Sequence, residues 1–234
     1  MKIGFISDAH GNVGAFEQGL RLLEGRACEP IFFLGDAVGY LPDRDVVSLV
    51  AARGLLPVLG NHEAMLMSES LPEKDEVYQL GRCRALLSDA DLAEIASWPL
   101  QRCIADGGLD LWMMHGSPTD LSRGYVYPDT DLEFFARPAG SITVIGNTHW
   151  PFWRSSAGGA WFLNPGSCGM PRDCGDLGSV AILDTGSGSA HILRFDIKAS
   201  TRQALARCAP VHESVVALFE RPRPPNLVGE IYGA

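Results

Sequence analysis

The sequence predicts an α/β fold built on two sheets, and two features of its patterning predict it. Short apolar runs alternate with amphipathic stretches in the first third of the chain. After position 150 that alternation gives way to short strand-like runs divided by Gly- and Asp-rich turns. Lys2 to Ser7, Ile31 to Leu34, Leu55 to Leu59, Leu109 to Met114 and Ser141 to Ile145 are continuous enough in apolar residues to be strands buried on both faces. Val13 to Leu23 and Asp43 to Arg53 have the length of crossover helices, so the chain opens β-α-β-α-β and predicts a parallel sheet. Residues 64–100 read as a charged helical excursion able to border a site, and 129–138 as a further helix. Pro151 to Ser155, Ala160 to Leu163, Ser179 to Asp184 and Ala190 to Asp196 predict a second, largely antiparallel sheet. Residues 199–219 read as helix, and the prolines of RPRPPN at 221–226 end it in an extended tail. One domain over 1–220 and a tail over 221–234 are expected.

The chain has 234 residues, 46% apolar and 20% charged, which suits one large core and excludes a disordered or collagen-like class. Nineteen basic against 28 acidic residues give a net charge of −9, which disfavours a nucleic-acid polymer as partner. No apolar run approaches the ~20 residues of a membrane span, and MKIGFISDAHG lacks the apolar stretch of a signal peptide. Cys28, Cys83, Cys103, Cys168, Cys174 and Cys208 are dispersed and form no C-x-x-C, which fits reduced thiols and a cytoplasmic location without a membrane partner.

Each of the five central runs ends, within one to four positions, in residue types that ligate metals: Asp8 and His10, Asp36, Asn61 and His62, His115, Asn147 and His149. Loops beyond the carboxyl ends of parallel strands meet at one edge, so these residues are expected to converge. Gly35, Gly60, Gly116 and Gly146 beside them fit backbone that approaches a centre closely. Imidazole, carboxylate and amide without thiolate suit Mn2+, Fe2+ or Zn2+. One bridging Asp can hold two cations about 3.5 to 4 Å apart, a pair that clamps phosphate and generates bound hydroxide near neutral pH. Two such cations outweigh two aspartates, which reconciles an acidic chain with a phosphorylated ligand.

The blocks D-A-H at 8–10, G-D at 35–36, G-N-H-E at 60–63, H-G at 115–116 and G-N-T-H at 146–149 resemble, in order and spacing, the calcineurin-like metallophosphoesterases. SDAHGN, GDAVGY and LNPGSCGMPRD are similar to the small bacterial phosphodiesterase-like branch, over roughly residues 1–196. The fold expected is a four-layer α/β/β/α sandwich of two mixed sheets flanked by helices. The resemblance implies a metal-dependent phosphodiesterase acting on a small phosphorylated substrate, with a dinuclear centre and a bridging hydroxide. Mn2+ is the first expectation for the metal, with Fe, Zn or Ni as alternatives.

Residue by residue, the resemblance implies that Asp8, His10, Asp36 and His149 hold the first metal, and Asp36, Asn61 and His115 the second, with Asp36 bridging. His62 corresponds to the histidine that protonates the leaving oxygen or stabilises charge on the phosphate, with Asp8 or Glu63 as its orienting partner. The last block is usually G-H-x-H, and this chain has Asn147 where the first of those histidines completes the second shell. An amide oxygen is a poorer donor than imidazole, so a weaker second site is expected. Direct ligation by Asn147, a water in its place and an empty second site stay open.

Asn12 reads either as a helix N-cap or as a phosphate-facing amide, and Arg172 as a phosphate contact or a brace for its own loop. Tyr40 reads as packing or as a stacking partner for a base. His191, His212, Cys168 and Cys174 are given structural parts only. One alternative is a protein or dinucleoside-polyphosphate phosphatase of the same superfamily, against which GDAVGYLPD, lacking the arginine of G-D-x-V-D-R-G, weighs. The other is a non-catalytic protein-binding scaffold, against which the retained His62 weighs.

Overall fold

In the computed structural model, which describes residues 1–106 and 108–232, the chain opens with β1 (Lys2–Ile6), α1 (Val13–Glu24), β2 (Ile31–Phe33), α2 (Asp45–Ala52) and β3 (Leu56–Pro57). β1, β2 and β3 lie side by side and parallel, as the alternation of patterns predicts. The charged excursion is four short helices, α3 (Asn61–Leu66), α4 (Asp75–Tyr78), α5 (Leu80–Leu86) and α6 (Asp89–Ser97). Then come β4 (Gln101–Asp106), β5 (Leu109–Met114), a 3₁₀ turn at Leu132–Phe135, β6 (Ile142–Val144), β7 (Phe152–Ser155) and β8 (Trp161–Asn164). β9 (Leu177–Asp184), β10 (Ser189–Asp196), α7 (Lys198–Cys208), α8 (Glu213–Phe219) and β11 (Glu230–Tyr232) complete the described chain.

One sheet has the order β11-β10-β9-β1-β2-β3 and the other β4-β5-β6-β8-β7. Ile3, Phe5, Phe32, Leu34 and Val58 of the first face Leu111, Met113, Ile142, Val144 and Leu163 of the second. Full burial of each such side chain contributes ~1.5–3 kcal/mol, so the two sheets are locked face to face. Phe16, Leu20, Leu23, Val46, Val50 and Trp98 from α1, α2 and the end of α6 cover the outer face of the first sheet. Val126, Leu132 and Phe135, around the 3₁₀ turn, cover the outer face of the second. The result is the expected α/β/β/α sandwich of two mixed sheets.

The allocation of strands differs from the reading by apolar pattern. β5 and β6 do not extend the first parallel sheet: they pair with each other and β6 with β8, forming the second sheet. β9 and β10 return to the first sheet, where β9 runs antiparallel to β1. A strand buried on both faces looks the same whichever partner it has, so the pattern locates strands and leaves pairing open. β4 escapes the pattern because Gln101–Ala105, its described side chains, are exposed or half-buried throughout, as suits an edge strand. The helix expected over 129–138 shrinks to the 3₁₀ turn, ended by Ala136 in left-handed backbone. The helix expected over 199–219 divides at Pro210, which cannot donate to a helical ladder. The tail expected over 221–234 is not merely extended, because β11 adds in parallel to β10; residues 233–234 lie outside the described residues.

Arg194 on β10 is fully buried. It makes two bonds to the Asp173 carboxylate, at 2.6 and 2.9 Å, and donates to the Leu177 and Val228 carbonyls. Arg194→Ala would leave Asp173 buried without a partner, so urea denaturation should show a loss of ~3–5 kcal/mol.

Candidate active site

β1, β2 and β3 of one sheet and β5 and β6 of the other deliver the predicted residues to one edge. Asp8, His10, Asp36 and His149 form a buried group whose ligand atoms all lie within 4.8 Å of one another. His149 Nε2 lies 3.2 Å from both His10 Nε2 and Asp8 Oδ1, and His10 Nε2 lies 3.6 Å from Asp36 Oδ2. On the other side of that same Asp36 oxygen, His115 Nε2 lies 3.4 Å away and is 2.9 Å from Asn61 Oδ1. Asp36 Oδ2 therefore stands between two donor sets, while its Oδ1 accepts from the His62 backbone N–H at 2.9 Å.

The three imidazoles are oriented by one device. Nδ1 of His10 donates to the Val38 carbonyl, Nδ1 of His115 to Leu34 and Nδ1 of His149 to Met170, at 3.0, 2.6 and 2.6 Å. A carbonyl only accepts, so each Nδ1 carries a proton and each ring turns Nε2 inward, the atom that offers a lone pair when the ring is neutral. The three Nε2 atoms point at one another and at the carboxylates. Both oxygens of Asp8 are buried without a hydrogen-bond partner. An unpaired buried carboxylate is costly, so the pocket is built to be completed by a cation. Without one, a proton serves: burial alone would lower His115, but the Asp36 carboxylate raises it to about 10. His10 is held well below its usual value by burial and by the nearby His62 and His149.

The backbone is bent to make this convergence. Asp8, His10, Asp36, Asn147 and His149 all have left-handed φ, between 46° and 65°, a region non-glycine residues rarely occupy. Gly35 (φ 91°) packs so tightly that a Cβ there would come within 2.6 Å of Gly60 N and 3.1 Å of His115 Nδ1. Glu63 staples the loop after β2. Its carboxylate accepts from the N–H groups of Asp36, Ala37, Val38 and Gly60 at 2.7 to 3.2 Å. Burial and the Asp36 charge push Glu63 up to about 7, against the pull of the Asp36 and Val38 N–H groups and of His115.

This corrects the expected partner of His62, since neither Glu63 nor Asp8 makes a hydrogen bond to its ring. The ring packs against Tyr40 and Tyr78, and Nδ1 is buried unpartnered against Gly39. Burial pulls the imidazole down to about 4, so at neutral pH it is uncharged. Asn12, a candidate for substrate contact, takes the capping alternative. Its amide accepts from Ala15 N–H and donates to the Gly169 carbonyl and Thr201 hydroxyl, and it is fully buried, leaving nothing for a ligand. Arg172 does line the pocket, where it donates to Tyr40 Oη at 3.3 Å. Asn147 lines it too, with Nδ2 donating to the Gly124 carbonyl at 2.9 Å.

The pocket over these residues measures about 150 Å³ and is also lined by Tyr78, Tyr125, Tyr127 and Thr148. Sequence reasoning missed the tyrosines, which lie in segments without motif, and the stapling role of Glu63, which only the close approach of β2 and β3 makes visible. His212 caps α8 and His191 is exposed, both away from the site. All six cysteines are free.

The family model of the calcineurin-like phosphoesterase superfamily domain matches residues 1–188. An uncharacterized protein of Methanocaldococcus jannaschii is 29% identical over 217 residues, covering 84% of this chain and 88% of its own. A metallophosphoesterase from Sphaerobacter thermophilus superposes with a TM-score of 0.77 at 26% identity, over 94% of this chain and 99% of its own. A hypothetical protein of Pyrococcus horikoshii shares the fold, with a TM-score of 0.76 at 14% identity over 93% and 97%.

Glu63→Gln places an NH2 group against backbone N–H donors and frees the loop that carries Asp36. Partners of this kind contribute ~10–100-fold to metal affinity. Calorimetric titration with Mn2+ should show a loss of that order in Glu63→Gln.

Proposed function

The chain belongs to the calcineurin-like phosphoesterase superfamily, and from that premise we propose that it is a phosphodiesterase acting on a small phosphorylated substrate at a dinuclear divalent-metal centre. The observation that carries this reading is the set of three imidazoles, each tethered at Nδ1 and turned with Nε2 onto the carboxylates of Asp8 and Asp36. His10, His149, Asp8 and Asp36 would hold one cation; Asp36, Asn61 and His115 would hold the other, with Asp36 common to both. Nitrogen and oxygen donors without thiolate favour Mn2+, with Fe, Zn or Ni as alternatives. When bound, such a pair supplies Lewis acidity toward a phosphoryl oxygen and a nucleophilic water near neutral pH.

Asn147 repeats the histidine device with a shorter side chain. Its NH2 is spent on a backbone carbonyl, which leaves Oδ1 as the free end of a residue lining the pocket. An amide oxygen there is a weaker donor than imidazole, so the second cation is held less tightly. His62, uncharged, positions a ring N–H toward the ester oxygen that departs. The preference for diesters over monoesters rests on the pocket wall. Among the described lining residues Arg172 is the single cationic side chain, and four tyrosines make up much of the wall. A diester has a second substituent to lay against those rings, which a monoester lacks. Free cysteines suit a reducing, cytoplasmic setting, and no described helix is long and apolar enough to cross a membrane.

With Mn2+ added, bis-p-nitrophenyl phosphate should be hydrolysed faster than p-nitrophenyl phosphate, and chelation should abolish both rates. A faster monoester would overturn the diester reading. His62→Ala should keep its metal, checked by elemental analysis, and lose ~10²–10³ in kcat, the usual cost of removing one hydrogen-bond donor from developing negative charge. Asn147→His should tighten the second Mn2+ step in a calorimetric titration and leave the first unchanged; equal second-step affinities would show that the substitution is neutral.

A further inference from the structure

Tyr125 and Tyr127 are large aromatic side chains left 57% and 42% exposed at the mouth of the pocket. They flank Val126, which is buried against Met114, Ile145 and Phe162 beneath the second sheet. In extended chain, anchoring the middle residue turns its two neighbours to the opposite side. Their rings stack with centroids 6.0 Å apart and planes 12° from parallel, too close to admit a third ring between them.

The segment that carries them is held at both ends. Gly124, just before, donates to the Asp120 carbonyl and accepts from Asn147 Nδ2. Beyond, Tyr127 N–H donates to Thr130 Oγ1 at 2.8 Å, and Arg154 donates to the carbonyls of Pro128 and Thr130. Exposed aromatic rings fixed in this way, beside Asp36, His62 and Arg172, need little ordering when a ligand arrives.

We propose that Tyr125 and Tyr127 form a platform that binds a planar ring, a nucleobase or aryl group, on the substituent of the phosphodiester. The proposal rests on the phosphodiesterase reading for its phosphate subsite and adds the class of substituent. The incoming ring extends the existing stack on its pocket side, with the phosphate directed toward Arg172 and the carboxylate–imidazole group. Stacking on an aromatic side chain is tolerant of ring identity because every base has a π-face. Selection is therefore for a ring over a bare sugar or alkyl group, with little preference among rings.

Calorimetry on the Mn2+-loaded protein with adenosine monophosphate and ribose 5-phosphate tests the platform without turnover. Wild type should bind the ring-bearing ligand about 5- to 100-fold more tightly, the range of one base stacked on an aromatic. Tyr125→Ala/Tyr127→Ala should bring the two affinities together by weakening adenosine monophosphate more than ribose 5-phosphate, and Tyr125→Phe/Tyr127→Phe should restore the difference. In kinetics, bis-p-nitrophenyl phosphate should lose kcat/KM by a similar factor in the double alanine variant. Methyl p-nitrophenyl phosphate, which has the same leaving group and no second ring, should lose less. Equal affinities in wild type, or a preference that survives the alanines, would overturn the platform. A protein that distinguishes the two ligands yet cleaves neither diester would keep the platform and overturn the phosphodiesterase reading.

Discussion

Asp8 carries a fully buried carboxylate with no donor on either oxygen, and two inward imidazole lone pairs lie within 4.0 Å of it. Such a group is tolerable only beside a compensating positive charge, because burial of an unpaired anion is among the costliest arrangements a fold can contain. Much of the surrounding structure serves that one requirement. Each imidazole has its Nδ1 proton engaged by Val38, Leu34 or Met170, which leaves Nε2 as the atom turned toward the carboxylates. The left-handed backbone of Asp8, His10, Asp36, Asn147 and His149 costs on the order of 1–3 kcal/mol per residue. It persists only because the packing around it leaves no alternative.

That packing comes from the contact of the two sheets. Asp8, His10, Asp36 and Asn61 follow strands of one sheet, and His115, Asn147 and His149 follow strands of the other. Neither sheet holds a complete set, and Asp36 Oδ2 meets His10 of its own sheet and His115 of the other. The distance between the two halves is set by the inter-sheet core of Ile3, Phe5, Leu34, Met113 and Val144. Interiors are packed nearly as densely as organic crystals, so the core transmits its spacing to the site with little slack. Gly35 and Glu63 then bring the loop after β2 against the start of α3.

The motif residues were legible because each lies within a few positions of an apolar run, so chain connectivity alone places Asp8, Asp36, His115 and His149 at strand ends. Strand pairing was less legible. β9 and β6 both read as continuous apolar runs, yet one joins the first sheet and the other the second, a choice made by long-range packing that local pattern does not encode. Asn12 was ambiguous because the same amide suits a cap and a phosphate contact, and only the positions of Gly169 and Thr201, more than 150 residues away, decide it. Glu63 sits inside a recognised block, but its four backbone partners come from two loops. Tyr125 and Tyr127 carry no motif, and their exposure depends on the burial of Val126 beneath a sheet that the pattern had not assembled.

Asn147 joins the rigid strand ends to the segment that carries the two exposed tyrosines. A histidine in its place could spend Nδ1 on a carbonyl and Nε2 on a metal, as His10, His115 and His149 are set to do. Asparagine keeps that division on a shorter side chain, with the amide nitrogen anchored to Gly124 and the oxygen left free. Gly124 immediately precedes Tyr125, so the amide that stands in the place of an imidazole also fixes the base of the aromatic pair. A shorter reach toward the centre goes with a direct hold on the segment carrying the rings. On the proposed reading, metal affinity and substrate selection would be coupled through a single amide, and a change there should be felt at both ends of the pocket.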